Sequence, residues 1–209
     1  QQKDVFYYLT VTNENYTHPA MPKGAEKGII AGMYLFKDRT DTQAKLQVQL
    51  LGSGTIFREV LHAAELLEKD FNVQALIWSV TSFNELRKDG LMVQRTNQLH
   101  PDQTQGQSYV AQCLGANDAP VIAASDSMRV HADQIRAFVP NDYWVLGTDG
   151  FGRSDTRASL RDFFEVNANW IAYQAMVALH HQHKVSTAIL LQARKKYEIT
   201  DDKPAPWTV

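Results

Sequence analysis

Cysteine is almost missing. Cys113 is the single thiol in 209 residues, which excludes an internal disulfide and a cysteine-built zinc cage. That usage suits a reducing compartment, so a cytoplasmic setting is expected. An excess of charge of one sign is missing as well. The 21 basic and 23 acidic residues leave a net charge of −2, with no global pull toward nucleic acid or an anionic membrane. No apolar run reaches the roughly 18 residues a spanning helix needs, and no basic-then-apolar leader opens the chain. It starts at Gln1 rather than Met, which reads as a fragment or a processed chain. There is no internal repeat, and no P-loop, G-x-G-x-x-G or G-x-S-x-G motif.

What remains is an ordinary globular composition, 44% apolar and 21% charged, enough for one large domain. Residues 4–11, with Val5, Phe6, Tyr7, Tyr8, Leu9 and Val11, predict a strand, and 13–23, with Pro19 and Pro22, a linker. A short helix follows over 24–31, stopped by Gly32, then a strand over 33–36 and a polar turn over 37–44. A strand at 46–51 runs through Gly52-Ser53-Gly54-Thr55 into a helix with Ile56, Val60, Ala63, Ala64 and Leu67 on one face. Residues 73–80 are nearly all apolar, as in a strand covered on both faces.

Ser82 and Glu85 form a capping box. The helix they open should stop at Asp89-Gly90, with a second running to Leu99. After a polar loop at 101–107 comes a weakly ordered segment, 109–114, then a strand at 121–124. Ser125 or Asp126 should cap a helix carrying Met128, His131, Ile135 and Phe138. Residues 143–146 make the last strand. Helices over 156–165, 169–180 and 186–197 close the chain. The middle one is apolar almost all round, which predicts burial against a sheet or another subunit. The polar tail, 200–209, should fray.

Strands alternating with helices predict an α/β domain with a mostly parallel sheet. The connection from residue 36 to 46 is too short for a helical crossover. The strand at 33–36 is therefore expected to be antiparallel and at an edge.

Two glycine turns are the candidate sites. Gly52, Ser53, Gly54 and Thr55 ahead of a helix offer a weak anion-binding candidate on backbone N–H groups. The alternative is a plain strand-to-helix turn capped by Ser53 or Thr55. In the second, 147–155, the residues Gly147, Asp149, Gly150, Gly152, Arg153 and Asp155 follow the last strand. Asp149, Arg153 and Asp155 are an acid–base candidate; the structural alternative is Asp149 and Arg153 bracing the turn and Ser154 or Asp155 capping the next helix. Val at Gly150 or Gly152 should then cost folding. His180 and His183 share a helix face, but the helix end already favours cations and no acid or cysteine lies near, so no metal site is assigned. His62, His100 and His131 have no nucleophile beside them, and Cys113 reads as core. No catalytic set emerges, which points to a domain serving a larger enzyme.

Several longer motifs carry a resemblance. Residues 4–16 with His18-Pro19-Ala20-Met21-Pro22, then 49–54, 79–86 and 145–155, resemble, in order, the carboxyl-terminal part of the homodimeric bacterial pyruvate dehydrogenase first component. That is a thiamine-diphosphate-dependent decarboxylase family in the transketolase-like superfamily. The resemblance implies a three-layer α/β/α domain whose five-stranded mixed sheet has its first strand antiparallel. It divides the chain into a remnant of a preceding domain plus linker (1–23), the domain itself (24–199) and a tail (200–209). It implies pyruvate decarboxylation and reductive acetylation of the lipoyl group of dihydrolipoyl acetyltransferase by the whole enzyme. Thiamine diphosphate and Mg²⁺ would be bound by other domains, since no Gly-Asp-Gly…Asn motif occurs here. No catalytic, cofactor or metal residue is carried over. The domain's expected work is homodimer assembly and acetyltransferase docking. The alternatives are a stand-alone anion- or nucleotide-binding module, or the same domain of a transketolase or 2-oxoglutarate decarboxylase.

Overall fold

The computed structural model describes residues 4, 6, 11, 14–38 and 45–209. The strand expected over 4–11 falls mostly outside the described residues, as do 39–44 of the expected polar turn. Five strands form one sheet: β1 (Met33–Asp38), β2 (Gln47–Gly52), β3 (Gln74–Val80), β4 (Val121–Ala124) and β5 (Tyr143–Leu146), in spatial order β1-β3-β2-β4-β5. All neighbours are parallel except β1, which runs antiparallel to β3 with Met33 opposite Val80 and a bulge between Leu35 and Lys37. The short 36–46 connection therefore had the consequence expected of it.

Helices cover both faces. Helices α2 (Phe57–Phe71), α7 (Ala168–His181) and α8 (Thr187–Lys196) bury Val48, Leu50, Ile77 and Ile122 on one side. Helices α3 (Phe83–Leu99), α4 (Tyr109–Leu114) and α5 (Arg129–Asp133) bury Leu51, Trp78, Val121 and Ala123 on the other. A short α1 (Glu26–Ala31) precedes β1 and ends at Gly32 in a left-handed conformation. Helix α6 (Arg157–Phe163) links the last strand to α7. No described helix is long and apolar enough to cross a membrane.

Three local expectations change. Helix α3 does not stop at Gly90 but runs to Leu99, because the bare Gly90 lets the Phe138 ring lie against the helix. Residues 109–114 form a full helix, with Ser108 accepting from the Ala111 N–H. The helix expected after β4 starts only at Arg129 and breaks after Asp133, because Ser125 and Asp126 spend their side chains elsewhere. The apolar helix α7 is buried as expected against the sheet: it packs on α2 and α8 and against β4 and β5.

Inside the sheet one polar side chain is almost wholly buried. Gln49 on the central β2 accepts from Trp78 Nε1 on β3 at 3.1 Å and donates to the Leu114 carbonyl at 2.8 Å. It fastens β2, β3 and α4 in a place where an unmade hydrogen bond costs more than a made one gains. Gln49→Leu strands both partners. It should lower unfolding free energy by about 2–4 kcal/mol in urea titrations, with an unchanged m-value.

Candidate functional site

The chain leaves β2 in one direction across the sheet to β3 and leaves β4 in the other to β5. The loops after these strands therefore part at the carboxyl edge, where open α/β sheets present ligands. The loops after β2, β4 and β5 are laced together. Ser53 N–H donates to Ala124 O at 3.2 Å, and Ser125 N–H to Leu146 O at 3.3 Å. Thr148 donates from its N–H to Ser127 O at 2.9 Å and from its hydroxyl to Asp126 O at 3.0 Å.

The turn Gly52–Thr55 meets a carboxylate of the chain itself. Asp126 Oδ2 accepts from the Thr55 hydroxyl at 3.2 Å, and Asp126 Oδ1 lies 3.3 Å from where a Cβ on Gly54 would stand. Ser53 makes no side-chain capping bond, contrary to the expected cap. An external anion at these four residues would face Asp126 directly.

The second turn is braced, but by other partners than expected. Asp149 accepts from the Arg129 backbone N–H at 2.9 Å and sits 3.8 Å from its guanidinium. Arg153 does not pair with it; its guanidinium lies 5.0 Å from the Phe163 ring centroid. Neither Ser154 nor Asp155 caps the next helix. Thr156 does, accepting from the Ser159 N–H, while Asp155 accepts from the Thr156 N–H at 2.6 Å. Gly147 lies against the Ser127–Arg129 backbone. Gly150 lies against Pro206 of the tail, and Gly152 faces open space.

The tail is docked rather than frayed. Pro206 is buried, Trp207 lies under the Arg129 guanidinium at 4.9 Å, and Lys203 donates to Asp162 O while lying over the Trp170 ring. Glu165 faces Arg129 at 3.9 Å. Its carboxyl is held above its ordinary range by burial, against the pull of Lys203 and Arg129. A carboxyl with a raised folded pKa favours folding in acid and loses that contribution as pH climbs through the raised value. Glu165→Gln should thus gain melting temperature on the native chain as pH goes from about 4 to about 7, read by calorimetric scans.

The histidines act locally. His180 Nδ1 bonds Val185 O at 2.9 Å, His181 packs edge-on to Trp144, and His131 edge-on to Phe83. Among the described residues no group of three His, Cys, Asp or Glu side chains is placed to hold a metal ion. The crevice acids are engaged too, Asp126 by Thr55 and Asp149 by Arg129. This donor set does not fit a magnesium diphosphate. Cys113 is half-buried beside Tyr109, and burial pushes its thiol up.

The crevice itself encloses about 300 Å³ between the three loops and α6, and Thr55, Asp126, Thr148, Arg153, Arg157 and Arg161 line it. Arg157 pairs with Glu14 at 2.8 Å and Arg161 with Glu59 at 2.9 Å. Glu59 also accepts from the Ala168 N–H at 3.0 Å, so this pair ties α2, α6 and the start of α7 together. The sequence reading missed Arg157 and Arg161. Part of the signal was there: Arg157 and Arg161 stand four residues apart in α6, which puts them on one face, while Arg153 precedes the helix.

A family model for the transketolase-like TK C-terminal domain matches residues 32–167, from the end of α1 to the start of α7. The chain belongs to this family. In the transketolase-like C-terminal domain described here, the matched stretch contains every loop that lines the crevice. The pyruvate dehydrogenase E1 component of Pseudomonas aeruginosa is 55% identical over 207 residues, 99% of this chain and 23% of that protein. That of Escherichia coli K12 is 47% identical over 207 residues, with the same shares. The chain thus spans 23% of the length of these relatives. None of this favours a stand-alone nucleotide-binding module. Among solved structures, transketolase from Leishmania mexicana superposes with a TM-score of 0.50 over 74% of this chain and 19% of that one, at 16% identity. At that identity the likeness concerns the fold.

Proposed function

We propose that the chain is the carboxyl-terminal domain of a pyruvate dehydrogenase E1 component. The observation that carries this reading is 55% identity across 99% of the chain to such a protein. The whole enzyme would decarboxylate pyruvate on thiamine diphosphate with Mg²⁺ and reductively acetylate the lipoyl group of dihydrolipoyl acetyltransferase in the cytoplasm. Residues 1–23 would belong to the junction with a preceding domain and 24–199 to the domain proper, with 200–209 as its docked tail. The cofactor would lie in the rest of the enzyme, in keeping with a sequence here that carries no Gly-Asp-Gly…Asn motif. The domain would serve homodimer assembly and acetyltransferase docking, and the turn 147–155 would be structural, the N-terminal anchor of the closing helices. No step of the reaction is assigned to its residues.

The test is domain replacement in a full-length E1 component of a relative. A chimera carrying this domain should decarboxylate pyruvate, form the dimer and support lipoyl acetylation. A chimera that folds and decarboxylates but neither dimerises nor acetylates would overturn the assembly and docking role. Calorimetry on this chain with thiamine diphosphate and Mg²⁺ gives an independent check: saturable micromolar binding would contradict the assignment of the cofactor to other domains.

A further inference from the structure

The crevice at the carboxyl edge is not used by the proposed reaction, yet its chemistry is sorted by position. One wall carries Arg153, Arg157 and Arg161. The floor carries Asp126 with the hydroxyls of Thr55 and Thr148. Leu160 and Phe164 supply apolar backing. The arginines are not equally committed. Arg161 is locked to Glu59 inside the α2–α6–α7 junction, with both side chains only 19% exposed. Arg157 is held by Glu14, which lies half-exposed in the segment before α1. Arg153 has only the face of Phe163 against it, and no carboxylate within ion-pairing distance among the described residues.

We propose that this crevice binds a small hydroxylated phosphate ester, with its phosphate on Arg153 and Arg157 and its hydroxyl end on Asp126 and Thr148. Two guanidinium forks lining one crevice suit a dianion with several acceptor oxygens better than a single carboxylate. The carboxylate of Asp126 repels phosphate and accepts from hydroxyls, so it sets which end enters first. The volume of about 300 Å³ is at the lower limit of ligand pockets and admits a short polyol phosphate. Glu14 is then a placeholder. Its carboxylate is held below the usual range by the Tyr16 hydroxyl and Arg157, and an exposed pair of this kind yields readily to a stronger anion. Binding would take Glu14 off Arg157 while Tyr16 stays on Arg58 and Arg161, which links occupancy of the crevice to the segment before α1.

The probes are glycerol 3-phosphate and inorganic phosphate, titrated into this chain by calorimetry at low ionic strength. Glycerol 3-phosphate should bind saturably with Kd at or below about 1 mM, roughly tenfold tighter than inorganic phosphate, which lacks the hydroxyl end. Arg153 is exposed, so Arg153→Ala should keep the melting temperature and weaken the ester at least about tenfold. Glu14→Gln should tighten it, and Asp126→Asn should narrow the gap between the two probes. No saturable binding, equal affinity for the two probes, or binding indifferent to Arg153→Ala would each overturn the proposal. Any of these would leave the E1 assignment untouched, since that is read by the chimera.

Discussion

Gly150→Val should cost about 4 kcal/mol of folding stability, while Gly152→Val costs less than about 1. Both glycines lie in the same turn, and the sequence suggests the same penalty for each. Gly150 has φ +112°, where a side chain is strained, and a Cβ there would stand 2.5 Å from the Pro206 carbonyl oxygen. The obstacle is backbone, so it cannot rotate aside. The tail would have to lift, taking Trp207 off Arg129 and uncovering the buried Pro206. Gly152 meets nothing within 4 Å. Thermal and urea unfolding of the two variants measures the contrast. A chain lacking 200–209 separates the two parts of the cost at Gly150: the contact with Pro206 is gone, so Val there should cost only the backbone strain of about 1–3 kcal/mol. Equal losses at Gly150 and Gly152 would mean that the tail does not rest on the turn.

Gly90→Val should be the second large loss, about 3 kcal/mol, although valine is the better helix former by local propensity. Gly90 sits inside α3, and a Cβ there would approach three Phe138 ring carbons at 2.5–2.7 Å. The clash is with a side chain, so it has a remedy. Phe138→Ala opens the space, and Gly90→Val in that background should be close to neutral. The double-mutant cycle isolates the pair, with a coupling of about 2 kcal/mol or more. An additive double mutant would show that the ring turns away and that the glycine has another purpose.

These two positions show where legibility ends. Capping boxes, apolar strands and the length of a connection are local, and they predicted Ser82, β2 to β5 and the antiparallel β1 correctly. Gly90 carries the same local signal as a helix stop. Only a ring 48 residues away makes it a helix interior. Ser125, Asp126, Ser154 and Asp155 all have the chemistry of caps. None of them caps a helix, because competing partners claim three of them: the Ser127 N–H, the Thr55 hydroxyl and the Thr156 N–H. The polar composition of the tail predicts fraying. Its anchors, Pro206, Trp207 and Lys203, gain their hold from Gly150, Arg129 and Asp162, none of them near in sequence.

By itself, the sequence determined the class of fold, a mostly parallel sheet with its first strand antiparallel at an edge, the helix faces turned inward and the resemblance to E1 carboxyl-terminal domains. All of these rest on periodicities and motifs within about a dozen residues. The tertiary structure alone decided that Asp126 answers Thr55, that Asp149 answers Arg129 and that three arginines share a crevice with an acid and two hydroxyls. It also decided that the last residues brace the turn after β5. Each of those outcomes is a choice among partners of equal chemistry, and a polar side chain goes to whichever partner the packed sheet and helices bring within about 3 Å.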